Sequence, residues 1–269
     1  MVREVERPDV LELLQLAESL ARDAAAHLRE AVNHAQEVDT KTTLTDMVTA
    51  TDRASERLIV DGIRAVRPDD AILGEEGTAD QGTSGVRWIV DPLDGTTNFL
   101  YCLPAFAVSI AVEVDGVTEV GVVVDAARDE TFSAVRGGGA HGGGRRMRCT
   151  DATELATALV GTGFSYDAGR RARQGAVLAE LLPVVRDIRR VGAAAIDLCW
   201  VASGRLDAFY ERGLAPWDLA AGALVAQEAG AVVGDIDGGP PSGAFTLAAA
   251  PGIFEPLRAV LRSAGAGIA

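Results

Sequence analysis

The amino-acid sequence predicts a mixed α/β fold organised as two lobes. At 269 residues the chain is longer than a typical single domain, and 48% of its residues are hydrophobic, which is enough for a sizeable core. The first half is predicted as amphipathic helices followed by a β-rich run, whereas the second half alternates short strands and helices. Such alternation is typical of a mixed α/β lobe. We therefore predict an N-terminal lobe over residues 1–150 and a C-terminal lobe over residues 151–269.

The first half begins with two predicted helices. Apolar residues recur at i, i+3 and i+4 from Asp9 to about residue 35, and a second helix is predicted over residues 53–66, before Pro68. A short strand, AILG, and a polar loop precede a central strand, WIV. From Phe106 the sequence indicates a hairpin with an Asp-Gly turn and then a third strand, ETFSAV.

A glycine-rich segment, RGGGAHGGGRRMR, occupies residues 136–148. It lacks the Lys-Ser/Thr ending and the following helix of a phosphate-binding P-loop, so we interpret it as a hairpin tip in which His141 is exposed. After it, strands are predicted at ATALVGTGF, residues 188–191, RLDAFYE, AVVGD and FTLAAA. Helices are predicted at residues 170–185, 192–202, PWDLAAGALVAQEAG and 251–262.

The composition limits the classes of function. A net charge of −14 and a pI near 4.6 argue against direct binding to nucleic acid or to an anionic membrane. Three cysteines without a CxxC pair indicate reduced thiols. The sequence begins without an apolar signal segment and has no run of 18 apolar residues, so we expect a soluble cytoplasmic protein.

The segment WIVDPLDGTTNFLY, at residues 88–101, carries the clearest chemical pattern. A buried strand leads into Asp91, Asp94 follows, and the next residues suit a tight turn and a helix N-cap. Two carboxylates at the mouth of a strand repel each other unless a cation lies between them. Carboxylates, a carbonyl and a phosphate are the hard oxygen ligands that Mg²⁺ takes. A bare DxxDG is also compatible with an ordinary strand and turn.

Several motifs together resemble the inositol monophosphatase family of Mg²⁺-dependent phosphatases. DPLDGTTNF resembles the family signature, and DMVTATD, GEEG and APWDLAAGALVAQEAGAVV match further family motifs in the same order, over roughly residues 40 to 240. The resemblance implies a layered α/β/α/β/α sandwich. It also implies hydrolysis of a phosphate monoester by a water activated by two or three Mg²⁺ ions.

The resemblance also assigns the metal-binding and catalytic residues. Asp46 would hydrogen-bond Thr96, and Thr96 and Glu75 would position the attacking water. Asp52 is interpreted as a helix cap. Asp218 lies at the start of a helix, where an acid can simply favour the helix dipole, but it matches the last metal ligand of the family. The implied metal ligands are Glu75, Asp91, the Leu93 carbonyl, Asp94 and Asp218.

The implied substrate contacts surround the same segment. Backbone N–H groups around Gly95 and Thr96 would cradle the phosphate, and Glu211 would contact hydroxyl groups of the alcohol. Ala193 replaces a threonine that some members carry, so a hydroxyl contact is missing there. The implied substrate-binding residues are Leu93, Asp94, Gly95, Thr96, Gly192, Ala193, Ala194, Glu211 and Asp218.

The substrate is predicted to be inositol 1-phosphate, because RRVGAAAIDLCWVASGRLDAFYERG resembles the bacterial inositol-1-phosphatases. The alternatives within the family are fructose 1,6-bisphosphate, 3′-phosphoadenosine phosphates and histidinol phosphate. A non-enzymatic alternative is binding to a protein partner in transcription antitermination. The family habit implies a homodimer and inhibition by Li⁺.

Overall fold

The computed structural model describes residues 9–34, 38–40 and 47–267, in which helices and two large sheets alternate in layers. The helices of this part of the chain are α1 (Val10–Ala31), α2 (Ala50–Val66), α3 (Thr96–Leu100), α4 (Ala168–Leu181), α5 (Ala194–Ala202), α6 (Pro216–Glu228) and α7 (Pro251–Ser263). Its strands are β1 (Val38–Thr40), β2 (Met47–Thr49), β3 (Ala71–Gly74), β4 (Ala79–Asp80), β5 (Val86–Asp94), β6 (Ala107–Val114), β7 (Val117–Asp125), β8 (Glu130–Val135), β9 (Gly139–Gly142), β10 (Arg145–Arg146), β11 (Leu159–Thr162), β12 (Asp187–Arg189), β13 (Ala208–Glu211), β14 (Val232–Gly234) and β15 (Thr246–Ala249).

The larger sheet has eight strands in the order β10-β9-β8-β7-β6-β5-β3-β4. Strands β5 to β8 form an antiparallel meander, and β3 joins β5 in parallel. In the turn between β6 and β7, Asp115 and Gly116 have φ angles of +52° and +80°, which the predicted Asp-Gly hairpin requires. Because β3 and β5 are parallel, the residues that follow Gly74 and Val90 lie at the same edge of the sheet.

The smaller sheet has five strands in the order β12-β11-β13-β15-β14. Strand β11 runs parallel to both β12 and β13. The carboxyl ends of these three strands therefore meet at one edge, where open α/β sheets bind their ligands. Gly163, Arg190 and Arg212 each follow one of these strands directly, so the topology makes them neighbours.

The five layers arise because helices cover both faces of the smaller sheet and both faces of the larger sheet. Helices α1 and α2 cover one face of the larger sheet through an apolar cluster that includes Leu28, Ile59 and Trp88. Helices α5 and α6 fill the space between the two sheets, and α4 and α7 cover the outer face of the smaller sheet. The predicted α/β/α/β/α sandwich is confirmed.

Every strand of the larger sheet lies before residue 150, and every strand of the smaller sheet lies after it. However, one core cluster joins Ile89 and Ala107 of the larger sheet to Ile196 and Leu224 of the middle helices. This cluster is continuous across residue 150. The division into lobes at that point therefore stays a prediction.

Several predicted helix boundaries differ from the observed ones; the helix predicted over residues 170–185 is α4, Ala168–Leu181, and the one predicted from residue 192 begins at Ala194. Helix α1 ends at Ala31 rather than near residue 35. Helix α2 begins at Ala50, before the predicted residue 53, because the Thr49 side chain caps it by accepting hydrogen bonds from the N–H groups of Thr51 and Asp52. The glycine-rich segment forms the predicted hairpin, with His141 exposed. Within the described ranges, no helix is long and apolar enough to cross a membrane.

Candidate active site

A bulge at the end of β5 presents the two carboxylates of the DPLD segment. Asp91 pairs with Ser109 of β6 and Asp94 pairs with Ala107, so β5 uses one more residue than its partner over this stretch. The Asp91 Oδ1 atom accepts a hydrogen bond of 3.0 Å from Leu93 N, which closes the bulge. Asp91 is 1% exposed and Asp94 is 8% exposed. The strand therefore brings two carboxylates together in a place with little water.

Asp94 links the larger sheet to the middle helix layer. Its Oδ2 atom accepts a hydrogen bond of 2.8 Å from the N–H of Ala195, in the first turn of α5. The partial positive charge at a helix N-terminus favours an anionic side chain at this position. The contact joins residues far apart in the sequence and fixes the start of α5 against the DPLD segment.

Gly95 is required by both its conformation and its surroundings. Its φ angle is +92°, in the left-handed region, and a Cβ atom there would lie 2.8 Å from the carbonyl oxygen of Ala105. Just beyond it, the Asn98 Nδ2 group donates to the carbonyls of Ala105 and Val191, at 2.7 and 2.9 Å. This amide ties the turn after β5 to the turn that precedes α5.

Thr96 contacts two oxygen atoms. Its Oγ1 atom lies 3.0 Å from Asp52 Oδ1 and 3.2 Å from the Leu93 carbonyl oxygen. The other Asp52 oxygen accepts a hydrogen bond from Thr49 N at 2.9 Å and also contacts the Thr49 hydroxyl. Burial raises the pKa of Asp52, and the hydrogen bonds from Thr49 and Thr96 oppose that rise.

Asp52 therefore does more than the helix capping predicted from the sequence. It is the N3 residue of the capping box that Thr49 begins, and its side chain also contacts Thr96. The sequence analysis assigned the Thr96 contact to Asp46, which lies outside the described residues, so that contact of Asp46 stays a prediction. The spacing Thr-x-x-Asp would have indicated the capping box, but nothing local indicated the contact with Thr96.

Glu75 lies on a turn that is stabilised by hydrogen bonds to a second glutamate. The Glu75 N–H donates to the Val90 carbonyl at 3.1 Å, which extends the pairing of β3 with β5. Glu56, on α2 and 5% exposed, accepts hydrogen bonds from Glu76 N at 2.7 Å and from the Thr78 hydroxyl at 2.7 Å. A Cβ atom on Gly74 would overlap the Glu56 carboxylate. The sequence analysis missed Glu56, because its partners lie twenty or more residues away along the chain.

Two further carboxylates of the site, Asp218 and Glu211, belong to the C-terminal half of the chain. The Asp218 Oδ2 atom accepts a hydrogen bond of 2.7 Å from Ala215 N at the start of α6. Glu211 ends β13, and Gly163 makes room for its carboxylate, because a Cβ atom on Gly163 would overlap it. Burial raises the pKa of Glu211 to about 8; the positive charge of Arg190 opposes this rise and the negative charge of Asp218 adds to it.

These side chains line one cavity of about 510 Å³ that opens to solvent. Ala193 lies behind it, buried against Gly95, and Asp46 is outside the described residues. The remaining predicted site residues all line the cavity: Glu75, Asp91, Leu93, Asp94, Gly95, Thr96, Gly192, Ala194, Glu211 and Asp218.

The electrostatics of the cavity fit a cation. Burial raises the pKa of Asp91 well above its usual range, and the negative charges of Glu75, Asp94 and Asp218 add to the rise. The pKa of Asp94 is raised in the same way, by burial and then by Asp218. Carboxylates this close repel one another unless a positive charge neutralises them.

The donor set suits Mg²⁺, since four carboxylates and the Leu93 carbonyl are hard oxygen ligands. Within the described ranges, no three acidic, histidine or cysteine side chains are already arranged to hold a metal ion.

The chain thus combines a layered α/β/α/β/α sandwich with a cluster of carboxylates at the edge where β3 and β5 end. The sequence model described as the inositol monophosphatase family matches residues 9–264. The chain belongs to the inositol monophosphatase family.

Individual relatives agree with this assignment. The inositol-1-monophosphatase of Mycobacterium leprae is 47% identical over 277 residues, which cover 94% of this chain and 94% of that protein. The Nus factor SuhB of Escherichia coli K12 is 47% identical over 196 residues, covering 72% and 73%. The crystal structure of the extragenic suppressor protein suhB from Bartonella henselae superposes with a TM-score of 0.90 at 36% identity, covering 93% of this chain and 98% of that chain.

Proposed function

We propose that this protein hydrolyses inositol 1-phosphate to inositol and inorganic phosphate, using a water molecule activated by Mg²⁺. One observation carries the proposal. Glu75, Asp91, Asp94 and Asp218 come from distant parts of the sequence and line one cavity, with Glu211 on another part of its wall. The name of the Mycobacterium leprae relative supports the choice of inositol 1-phosphate.

The residues proposed to hold two or three Mg²⁺ ions are Glu75, Asp91, Asp94, Asp218 and the Leu93 carbonyl. When bound, Mg²⁺ lowers the pKa of a coordinated water and neutralises charge on the phosphate oxygens. Near the DPLD segment, the charged groups that act most strongly on Asp91 are the carboxylates of Glu75, Asp94 and Asp218. Bound Mg²⁺ would therefore supply the positive charge there.

Thr96 is proposed to orient the attacking water together with Glu75. A hydroxyl that donates its proton to Asp52 presents its lone pairs outward, where it can accept a hydrogen bond from a water molecule. Asp52 would keep Thr96 in that orientation, and Asp46 is proposed to support it as well. The water would then be aligned for in-line attack on phosphorus.

Binding of the phosphate and of the alcohol is proposed to occur at different parts of the cavity. Backbone N–H groups around Gly95 and Thr96 would bind phosphate oxygens, close to the carboxylate cluster. Glu211 would accept hydrogen bonds from hydroxyl groups of the inositol ring. Gly192 and Ala194 would border the ring, since they line the same cavity.

A comparison of four esters tests the substrate. Phosphate release is measured from inositol 1-phosphate, fructose 1,6-bisphosphate, 3′-phosphoadenosine 5′-phosphate and histidinol phosphate. Among the four, the wild type should prefer the inositol ester. At a pH above 8, where Glu211 is ionised, Glu211→Ala should lower kcat/KM on that ester roughly 10- to 200-fold, since hydrogen bonds to a charged group are lost. For an alcohol phosphate without neighbouring hydroxyls, the same substitution should lower kcat/KM much less.

If the nucleotide or histidinol ester is the best wild-type substrate, the choice of inositol 1-phosphate is wrong, while metal-dependent hydrolysis stands. The resemblance to the family adds an expectation that Li⁺ inhibits the reaction. Activity that does not respond to Li⁺ would contradict membership of the inositol-1-phosphatase subgroup.

A second candidate function is a protein-binding role in transcription antitermination, which the name of the Escherichia coli relative suggests. Co-purification of this chain with transcription factors of its own cell tests it. Unchanged association in a variant without phosphatase activity, such as Asp91→Asn, would show that this role is separate from catalysis. We also expect a cytoplasmic homodimer, and light scattering of the purified protein checks the dimer.

A further inference from the structure

Ser109 is a buried residue of the larger sheet that contacts the first turn of α6. It is 1% exposed, and its hydroxyl donates a hydrogen bond of 3.1 Å to the Trp217 carbonyl. That carbonyl belongs to the peptide group that joins Trp217 to Asp218, one of the proposed metal ligands. A side chain of the sheet therefore fixes the backbone directly before Asp218.

Ser109 also pairs with the strand that carries Asp91. On β6 it is the Cα partner of Asp91 on β5, at the last regular pair before the bulge that leads to Asp94. Strand pairing fixes the separation of paired residues. Asp91 and Asp218 come from distant parts of the sequence, and Ser109 connects them, through strand pairing to the one and through its hydroxyl to the backbone before the other.

The hydrogen bond from Ser109 is not required for α6 to form. A carbonyl in the first turn of a helix already accepts a hydrogen bond from within the helix, and the serine uses the second lone pair of the oxygen. The bond therefore adds little to the helix itself. What it adds is the position of the first turn relative to the sheet.

The middle of α6 is held by close packing on both sides. A Cβ atom on Gly121 of β7 would lie 2.7 Å from the Ala221 carbonyl oxygen, so the strand and the helix meet through their backbones. A Cβ atom on Gly222 would lie 2.9 Å from Leu198 of α5. Packing contacts of this kind are not directional, whereas a hydrogen bond is. Ser109 thus supplies a directional contact at the end of the helix that faces the cavity.

The other end of α6 is bound to the same sheet, away from the cavity. The Glu228 carboxylate accepts hydrogen bonds of 2.8 Å from Gly137 N and from Gly139 N, in the glycine-rich segment where β9 begins. These three residues do not line the active-site cavity. The helix therefore has two hydrogen-bonded contacts with the larger sheet, one beside the site and one remote from it.

We infer that Ser109 is a positioning residue that fixes Asp218 relative to Asp91 and thereby increases the affinity of the cavity for Mg²⁺. The inference rests on the proposed function, since it takes both carboxylates as metal ligands. Mg²⁺ demands nearly ideal ligand geometry, and residues that orient metal ligands contribute strongly to affinity. Ser109 does not line the cavity, so it acts through the backbone of Trp217 and not as a ligand.

Calorimetric titration of the metal-free protein with Mg²⁺ tests the inference. Ser109→Ala should weaken Mg²⁺ binding roughly 10- to 100-fold, and the Mg²⁺ concentration for half-maximal phosphate release should rise by a similar factor. At saturating Mg²⁺, kcat should change much less, because the bound ion itself then holds Asp218. In chelator, the unfolding temperature should fall by only about 2–4 °C, as expected for one hydrogen bond in a chain of this size.

Glu228→Gln is the matched control, because it weakens the contact at the far end of the same helix. It should lower the unfolding temperature by a comparable amount and keep the wild-type affinity for Mg²⁺. If Ser109→Ala does not fold, Ser109→Cys takes its place, since a thiol has nearly the same volume and is a weaker donor. The expected direction of each change is the same.

Wild-type affinity for Mg²⁺ in the Ser109 variant would overturn the inference and leave the proposed function intact. An equal loss of affinity in the Ser109 variant and in Glu228→Gln would also overturn it, since any loosening of α6 would then have the same effect. If the wild type itself neither binds Mg²⁺ nor releases phosphate in its presence, the proposed function fails, and the inference fails with it.

Discussion

The Thr96 hydroxyl lies 3.0 Å from Asp52 Oδ1, which makes a residue of the α2 capping box a direct neighbour of the DGTT turn. Asp52 is 1% exposed and receives hydrogen bonds from Thr49 at the same time. The start of α2 and the turn after β5 are thus held as one unit. The contact connects the helix cap directly to the Thr96 hydroxyl, which is proposed to orient the attacking water.

This contact predicts how Thr96 contributes to catalysis. Thr96→Val removes the hydroxyl that is proposed to orient the attacking water, so kcat should fall roughly 100-fold while KM changes little. Asp52→Asn should show the same pattern more weakly, because the asparagine oxygen still accepts the hydrogen bond from Thr96. Steady-state kinetics on inositol 1-phosphate measure both effects. Thr97→Val is the matched control, and a Thr96 variant that raises only KM would make Thr96 a phosphate contact instead.

Glu56 is predicted to act through the turn that carries Glu75. Glu56→Gln keeps one acceptor oxygen but turns an amide N–H₂ group towards the backbone N–H donors of Glu76 or Thr78. The concentration of Mg²⁺ for half-maximal activity should therefore rise, on the order of 10- to 100-fold, as for other residues that orient metal ligands.

Titration of activity with Mg²⁺ measures this effect, and thermal unfolding shows how much stability is lost. Arg57→Gln, one residue further along the same helix and exposed, should behave like the wild type. If Glu56→Gln lowers the unfolding temperature but leaves the Mg²⁺ requirement unchanged, Glu56 is only structural.

The raised pKa of Glu211 predicts how stability depends on pH in the metal-free protein. Its pKa is about 8 in the folded chain, against 4.5 for an unperturbed glutamate. Between these values the folded state binds more protons than the unfolded state, so this group makes stability fall as pH rises from about 5 to about 8.

Glu211→Gln removes the titration. Relative to the wild type, the unfolding temperature of this variant should therefore rise progressively between pH 5 and pH 9. Thermal unfolding in chelator over this range measures the difference, with Glu180→Gln as an exposed control. Parallel curves for wild type and Glu211→Gln would show that Glu211 titrates normally.

The local parts of the fold were predictable from the sequence, and the long-range parts were not. The hairpin at Asp115 and Gly116 and the turn at Gly95 depend on neighbouring residues, so residue type and spacing indicate them. The layered order of the sheets came from the family resemblance rather than from periodicity. Roles such as that of Glu56 depend on a helix side chain that reaches a turn elsewhere in the chain, and no local pattern records such a contact.

The same limit applies to the cavity wall. Arg190 and Arg212 are separated in the sequence, and both line the cavity because β12 and β13, on either side of β11, end at one edge. Asp91 and Asp94, by contrast, belong to one motif and could be predicted together. What the sequence shows well is therefore the part of the site that lies on one continuous segment.

The most direct test is a Mg²⁺ titration of the metal-stripped protein with inositol 1-phosphate as substrate. Phosphate release should be close to zero in chelator, rise to saturation with Mg²⁺, and fall severely in Asp91→Asn, whereas Asp61→Asn, on an exposed face of α2, should keep the wild-type rate. Mg²⁺ should also raise the unfolding temperature of the wild type, since it binds the folded state, and should do so much less in Asp91→Asn. Turnover at the normal rate in chelator, or a fully active Asp91→Asn variant, would contradict the assignment of this cavity as a metal-dependent phosphatase site.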